Sequence, residues 1–475
     1  MILLVPSCLE PFAIAFYCCP IKTFLGLKKI WLAPIAGVSH KWLLWFRQKS
    51  KVTMGKSSHF IGQPLYGQVI KLLDKSKILQ FSQENGGERY IKRFNVWVHL
   101  TVMLYAVIMR FDSLREIIAS LLAEARKLSH LGISFKIGRS TLADANKRRP
   151  EAVFEVIYRD LYGTYRHVLS SDSHSRKTPK WMKRLHIIDS TTITLFSNLL
   201  FKGVGRHPKT GKKKGGIKVH TVIHANEGVP SDIKFTSAAT NDAFMLRPAT
   251  LHKGDIMAMD RAYIDYEKFQ QLTERGVIYV TKMKKSLKYT ILSDTMYQTP
   301  DGLTEVRIQN VEFVIKKRGE IIRHKARIVT YCDGKKRKLI SLLTNDMDWD
   351  PDEIIAIYRQ RWEIELLFKQ IKQNFPLKYF YGESANAIKI QIWVTLIANL
   401  LLMILQKGLK RQWSFSGLAT MVRINLMYYV DFYSLFNNPD KDWEIILAET
   451  SGASPETSLF DLGGLENEKT DSTTG

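Results

Sequence analysis

The sequence predicts a mixed α/β chain preceded by a helical segment, on three observations. Residues 60–170 carry apolar side chains at helical spacing, and residues 185–283 switch to the two-residue alternation of strands. Two strong helical patterns then follow at 350–374 and 388–406. Residues 1–53 stand apart: Pro-broken and Cys-bearing, with seven Lys/Arg and one acid, before Met54 opens a cleaner segment. They are expected to be a non-native extension. A helical N-terminal domain is expected over 54–170, where Val69, Leu72 and Leu73 begin one stripe and Leu114, Ile117, Ile118 and Leu121 another. The polar, Pro-containing run at 171–180 marks a boundary.

Beyond it, 185–196, 217–225 and 231–238 read as three successive strands, with a turn at Glu227-Gly228. A helical stretch is expected from Asn241, then a short buried strand ending at Asp260, a helix over 266–275 and a fifth strand over 277–283. Residues 290–345 are strand-like again, with Gly302, Gly319 and Gly334 as turn signals. A helical C-terminal segment is expected over 411–450. The last 25 residues hold five acids and one Lys with little apolar content, so 451–475 are expected to be a disordered tail.

At 475 residues the chain is too long for one small core. Seventy Lys and Arg against 45 Asp and Glu give a net charge of +25, which favours a polyanionic partner and leaves DNA, RNA and anionic lipid open. Of the four cysteines, Cys8, Cys18 and Cys19 crowd the first twenty residues and only Cys332 lies in the body. That excludes a disulfide framework or zinc finger, and the reading is a reducing cytoplasm. Residues 390–406 are uncharged, at the lower limit of a membrane-spanning length. Because Gln391, Asn399 and Gln406 interrupt them, a buried core helix is expected, with no membrane partner.

Two acids end apolar strands in matching contexts, Asp189 in HIIDSTT and Asp260 in IMAMDRAY. Such a carboxylate can sit at the functional rim of a sheet, or can be a turn Asp bonded to its own backbone. In the helix over 350–374, Tyr358, Arg361, Glu365 and Lys372 are offset by three, seven and fourteen residues. At about 100° per residue they fall within roughly 60° of one another. Leu366, Leu367 and Ile371 are left elsewhere, free to pack. This polar face could also be a solvated surface with Arg361 paired to Glu365.

The spacing Tyr358-x2-Arg361-x3-Glu365-x6-Lys372 resembles the Y-R-E-K signature of a large group of bacterial insertion-sequence DDE transposases. Those enzymes have a ribonuclease H-like core of three strands, helix, strand, helix, strand and a terminal helix. The resemblance therefore implies a ribonuclease H-like catalytic domain over 180–410, with a β-rich insertion at about 290–345. It puts the first Asp of the triad at Asp189, the second at Asp260 in Asp260-Arg261-Ala262-Tyr263, and the Glu at Glu365. Ala262 stands where Gly is commoner, a departure that touches no ligand. The segment from Ser57 to about 150 looks like a helical domain of unassigned function often found ahead of this core, expected to bind DNA.

On this resemblance the chain would bind the ends of an insertion sequence and carry out metal-dependent strand cleavage and transfer. Two Mg²⁺ ions, with Mn²⁺ able to substitute, suit hard carboxylate donors. Asp189 would bridge the ions, with Asp260 and Glu365 completing one each. Tyr358, Arg361 and Lys372 would contact DNA. The partners implied are double-stranded DNA, as transposon end and as target, and a second copy in a DNA-bound homodimer. The location implied is the cytoplasmic nucleoid.

The basic stretch 201–220 holds seven Lys/Arg and no acid. Its Gly205…Gly211-Lys212 fails as a phosphate-binding loop, because five residues separate the glycines and Lys213 stands where Ser or Thr must be. A hairpin tip in which Lys212, Lys213 and Lys214 track a phosphate backbone is expected; the alternative is a solvated turn. His186 and His220 read as ordinary strand residues. Rival functions are a catalytically dead DNA-binding relative, disfavoured by the intact acids, and a ribonuclease H-like nuclease or resolvase, which would lack the Tyr358–Lys372 face.

Overall fold

The computed structural model describes residues 62–170, 179–194, 216–284, 286–298, 305–317, 320–333 and 338–441, with Glu444 and Leu447. The segment 1–53, the loop carrying Lys212, Lys213 and Lys214, and the tail 451–475 lie outside them.

Seven helices span 65–169: α1 (Leu65–Ile70), α2 (Lys75–Glu84), α3 (Val96–Met109), α4 (Leu114–Ala123), α5 (Ala125–Leu128), α6 (Arg139–Arg148) and α7 (Glu151–Leu169). Asp74, Asn95 and Ser113 cap α2, α3 and α4, each accepting hydrogen bonds from backbone N–H groups of the first turn. In α3 every residue from Val96 to Ile108 is buried, which explains why its sequence is apolar all round instead of striped.

Three antiparallel strands follow, β1 (Leu185–Thr194), β2 (Gly216–His224) and β3 (Pro230–Ser237). Next come β4 (Ile256–Met259), α8 (Tyr266–Glu274) and β5 (Ile278–Lys282), with β4 parallel to both β1 and β5. This is the ribonuclease H-like succession, with one correction. The stretch from Asn241 expected to be helical forms only two 3-10 turns, Asp242–Met245 and Pro248–Thr250. The Asn241 side chain bonds the Ala243 N–H, and Pro248 offers no N–H to continue a helix.

The insertion strands β6 (Thr290–Gln298), β7 (Glu305–Lys317), β8 (Glu320–Asp333) and β9 (Lys338–Thr344) do not form a separate layer. β9 pairs antiparallel with β5, Val280 opposite Thr344, so one nine-stranded sheet runs β3-β2-β1-β4-β5-β9-β8-β7-β6. Gly302, Gly319 and Gly334 lie between these strands, outside the described residues.

The closing helices are α9 (Pro351–Gln360), α10 (Trp362–Asn374), α11 (Ala385–Lys407), α12 (Phe415–Asn425) and α13 (Phe432–Asn437). α11 is apolar and long enough to cross a membrane, but it is almost wholly buried inside the protein. Its polar residues are satisfied there. Gln391 donates to the Pro376 and Tyr379 carbonyls and accepts from the Tyr381 N–H, all at 2.8 Å. Asn399 accepts from Gln370 and Gln406 donates to the Trp413 carbonyl. A core helix explains this chemistry.

The N-terminal helices pack around α11. Trp393 of α11 donates to Glu151 at 2.8 Å, and the Tyr381 hydroxyl donates to the carbonyls of Ala106 and Phe111. Leu65 and Tyr66 donate their N–H groups to the carbonyls of Tyr428 and Leu426, both at 2.8 Å. A single hydrophobic cluster thus includes residues of α1–α7, one face of the sheet and α9–α13.

Candidate active site

The side chains of β1 alternate between two cores. Ile187 and Ile193 pack with α11, while Ile188 packs on the α8 side. Asp189 and Thr191 therefore face the closing helices. Pairing of β1 with β4 ends at Ile188 opposite Met259, so Asp189 and Asp260 are the next residues on two adjacent parallel strands, about 5 Å apart in backbone. By the same alternation Asp260 shares Asp189's face.

Asp189 is not at a strand end, as the sequence suggested. β1 continues to Thr194, held by β2 through Thr194 opposite Gly216. What ends beside Asp189 is its neighbour β4, and this opens the rim. Asp260 does stand at a strand end, at the entrance of the 3-10 turn Arg261–Tyr263, yet its carboxylate does not cap that turn. Asp189 accepts the Ser190 N–H at 2.8 Å.

The third acid comes from α10. The single helix expected over 350–374 is interrupted at Arg361, whose backbone (φ −53°, ψ −25°) stays right-handed, so the face survives the break. Arg361 Nη1 lies 2.6 Å from Glu365 Oε1 and 4.0 Å from Asp189 Oδ2. Its guanidinium carbon lies 5.7 Å from the Tyr358 ring centroid. Farther along the helix, Lys372 Nζ donates to Thr191 Oγ1 at 2.6 Å. Tyr358, Arg361, Glu365 and Lys372 are thus turned to the rim that carries Asp189. Leu367 and Ile371 are buried as expected; Leu366 is exposed, since the sheet lies on one side of α10 only.

Burial pushes the Asp189 carboxyl up to about 6, and the charges of Asp260 and Glu365 add to the effect; Ser190 and Arg361 oppose it. For Arg361, burial works against the charge, but the Glu365 hydrogen bond and its neighbours' charges outweigh it and raise the pKa. Among the described residues no three His, Cys, Asp or Glu side chains converge as a ready ion site. The Arg361 guanidinium instead lies within 4.0 Å of both Glu365 and Asp189.

The donor set suits a hard divalent cation on two grounds. All three groups are carboxylates, and two of them, Asp189 and Glu365, already share one internal cation, while burial and then the charges of Asp260 and Glu365 lift Asp189. His186 and His220 are strand residues. His220 meets Thr236 at 2.7 Å, and the His186 ring lies 4.2 Å from that of His224, tilted by 52°. A group of residues without a site role in the sequence reading lies behind Asp189. Ser190, Lys218, His220, Asp242 and Tyr263 gather on the opposite face of the sheet, where the alternation of Lys218 and His220 on β2 was the available signal.

Two family models match the chain, a transposase DDE domain over residues 180–401 and a domain of unknown function, DUF4372, over 61–134. The protein named "Putative transposase y4zB" of Sinorhizobium fredii is 32% identical over 270 residues, 56% of this chain and 71% of the relative. The "Probable transposase for insertion sequence element IS5377" of Geobacillus stearothermophilus is 24% identical over 316 residues, 64% of this chain and 79% of the relative. A Synechocystis protein named for insertion sequence element IS4SA is 26% identical over 275 residues, 56% and 71% of the two chains. With its ribonuclease H-like sheet and these relatives, the chain belongs to the DDE transposase family of DNA-cleaving and strand-transferring enzymes.

Proposed function

We propose that this protein is a cut-and-paste transposase that binds the ends of its insertion sequence, with Asp189, Asp260 and Glu365 as the catalytic carboxylates. The observation that carries the assignment is the placement of Asp189 and Asp260 side by side just beyond the last paired residues of β1 and β4, with Glu365 turned to that rim through Arg361.

The family depends on divalent metal ions, and here the ion is Mg²⁺, with Mn²⁺ as a substitute. Asp189 would hold both ions of a pair and Asp260 and Glu365 one each; bound there, they would activate a water or 3′-hydroxyl and stabilise the leaving oxygen. The protein's own residues supply the positioning. The Ser190 N–H orients Asp189. Arg361 neutralises the carboxylates in the free protein and is set to grip a phosphate with its planar fork once DNA enters. Lys372, anchored at Thr191, offers a point charge on the same rim, and Tyr358 offers a hydroxyl donor. Residues 54–170 form the end-binding domain, and the protein works as a DNA-bound homodimer at the nucleoid, without a membrane partner. The four residues Tyr358, Arg361, Glu365 and Lys372 support membership of the Y-R-E-K group.

The test is a nicking assay on duplex DNA carrying the inverted repeats that flank the gene. Nicking with Mg²⁺ that stops with EDTA, followed by joining of the freed end to a target, is the expected result. End binding without nicking would identify a DNA-binding relative, and nicking without joining a different nuclease.

Lys212, Lys213 and Lys214 belong to the segment between Thr194 and Gly216, the last paired residues of β1 and β2. If each meets a phosphate, changing all three to Ala should lower the slope of log affinity against log salt by about 2–3 units, roughly 0.9 per lost contact. Binding to end and non-end DNA should weaken alike, since phosphates carry no sequence. An unchanged slope would return the segment to a solvated turn.

A further inference from the structure

Behind the rim, on the face of β1 away from Asp189, lies a polar cluster that the proposed chemistry does not use. The Ser190 hydroxyl donates to Asp242 Oδ1 at 2.6 Å. Lys218 Nζ, on a largely buried side chain, donates to the same oxygen at 3.2 Å and to the Thr240 carbonyl at 2.7 Å. His220, fully buried, turns Nδ1 toward Asp242 at 3.8 Å, and that nitrogen has no hydrogen-bond partner. The Tyr263 hydroxyl is buried beside Ser190, again without a partner of good geometry. Burial pushes this hydroxyl up, with the charges of Asp189, Asp242 and Asp260 adding to it, so the ring stays neutral among three acids.

Such a cluster is costly unless something requires it. Its connection to the rim is a single residue. Ser190 bonds Asp242 through its side chain on one face, and its N–H bonds Asp189 Oδ1 on the other. The link sits at the point where β1 has lost β4 as a neighbour, so sheet pairing on that side no longer fixes the peptide.

We infer that Asp242, acting through Ser190, is a positioning residue for Asp189, fixing from the reverse face of the sheet the peptide whose N–H holds that carboxylate. Lys218 supplies Asp242 with a counter-charge and holds the same carboxylate oxygen that Ser190 reaches. The inference rests on the reading of Asp189 as a metal-holding carboxylate. Outer supports of this kind typically change metal affinity or activity by 10–100-fold when removed.

The test uses the full chain, with Mn²⁺ as the probe. Ser190→Ala cuts the link while leaving Lys218 and Asp242 paired. It should weaken Mn²⁺ binding, measured by electron paramagnetic resonance on the DNA-free protein, about tenfold. Cleavage at limiting Mn²⁺ should slow by a similar factor, and affinity for the transposon end should stay within about twofold. Ser190→Thr, which keeps the hydroxyl, should restore both. Asp242→Ala should match Ser190→Ala in Mn²⁺ affinity, and the double mutant should be no worse than either. If Asp242→Ala fails to fold, the Ser190 pair decides alone. Wild-type Mn²⁺ affinity in Ser190→Ala, or a lowered melting temperature with unchanged Mn²⁺ affinity, would overturn the inference while Asp189→Ala remains inactive. Persistent cleavage by Asp189→Ala would instead overturn the reading beneath it.

Discussion

Alanine at Asp189, Asp260 or Glu365 is expected to lower end cleavage by more than about a thousandfold, while end binding stays within roughly threefold of wild type. On the proposed assignment the carboxylates would serve the metal-dependent step and make no demand on the DNA backbone, whose phosphates they would repel. Residues that act as one unit fail together, so double mutants should be no slower than single ones. Cleavage within tenfold of wild type in any of the three would remove that residue from the site.

Stability gives a second, independent measurement. Asp189 is held at about 6 in the folded protein against an ordinary 3.8, so between these values the folded chain binds more protons than the unfolded one. The raised value therefore costs stability, fully above pH 6, and the cost fades as pH falls through 6 toward 4. Asp189→Asn removes the charge and keeps the shape. In metal-free buffer at pH 7.5 it should stabilise by about 1–2 kcal/mol, or raise the melting temperature by about 1–3 °C, and the gain should shrink at pH 5. A residue kept for folding would show the reverse, with lost stability and retained cleavage.

The strands β1 to β5 were legible because each buries one or both faces locally, and the apolar pattern, alternating in β2 and continuous in β4, records that burial. Asp260 was legible for the same reason, as the first polar residue after the four buried residues of β4. Asp189 was found but misplaced. Its own strand runs on, and only the length of a neighbour seventy residues away, β4, makes position 189 a rim. The pairing of β9 with β5 was hidden likewise, since no local pattern says which strand an edge will meet. The face from Tyr358 to Lys372 could be projected because it needs only helical geometry, and the interruption at Arg361 left the backbone angles almost unchanged. Asp242 could not be found that way. It follows a turn that resembles a helix start, and its meaning comes from Ser190, 52 residues earlier.

Arg361→Ala and Lys372→Ala are expected to weaken binding to transposon ends about tenfold and to slow cleavage about a hundredfold. The reasoning starts from the geometry of the free protein. Arg361 is only 14% exposed and is the cation nearest to both Glu365 and Asp189. An exposed i,i+4 pair would be worth roughly 0.3–0.5 kcal/mol, but this one is more enclosed, so its loss should cost about 1–3 kcal/mol. A stability change alone therefore cannot separate a structural salt bridge from a DNA clamp, and the substituent must. Arg361→Lys keeps a positive charge beside Glu365 and should recover most of the stability. It loses the planar fork that can take a phosphate in two parallel hydrogen bonds, so cleavage should stay at least tenfold slow. Lys372 supplies a control of the opposite kind. Its contact with Thr191 Oγ1 lies on the open rim, so Lys372→Ala should barely move the melting temperature while cleavage falls. Melting temperature, end affinity and end cleavage on these three variants decide the matter. Cleavage that tracks stability in all three would make the helix face a brace for Glu365, whereas slow cleavage in Arg361→Lys at near-normal stability requires a phosphate at the guanidinium.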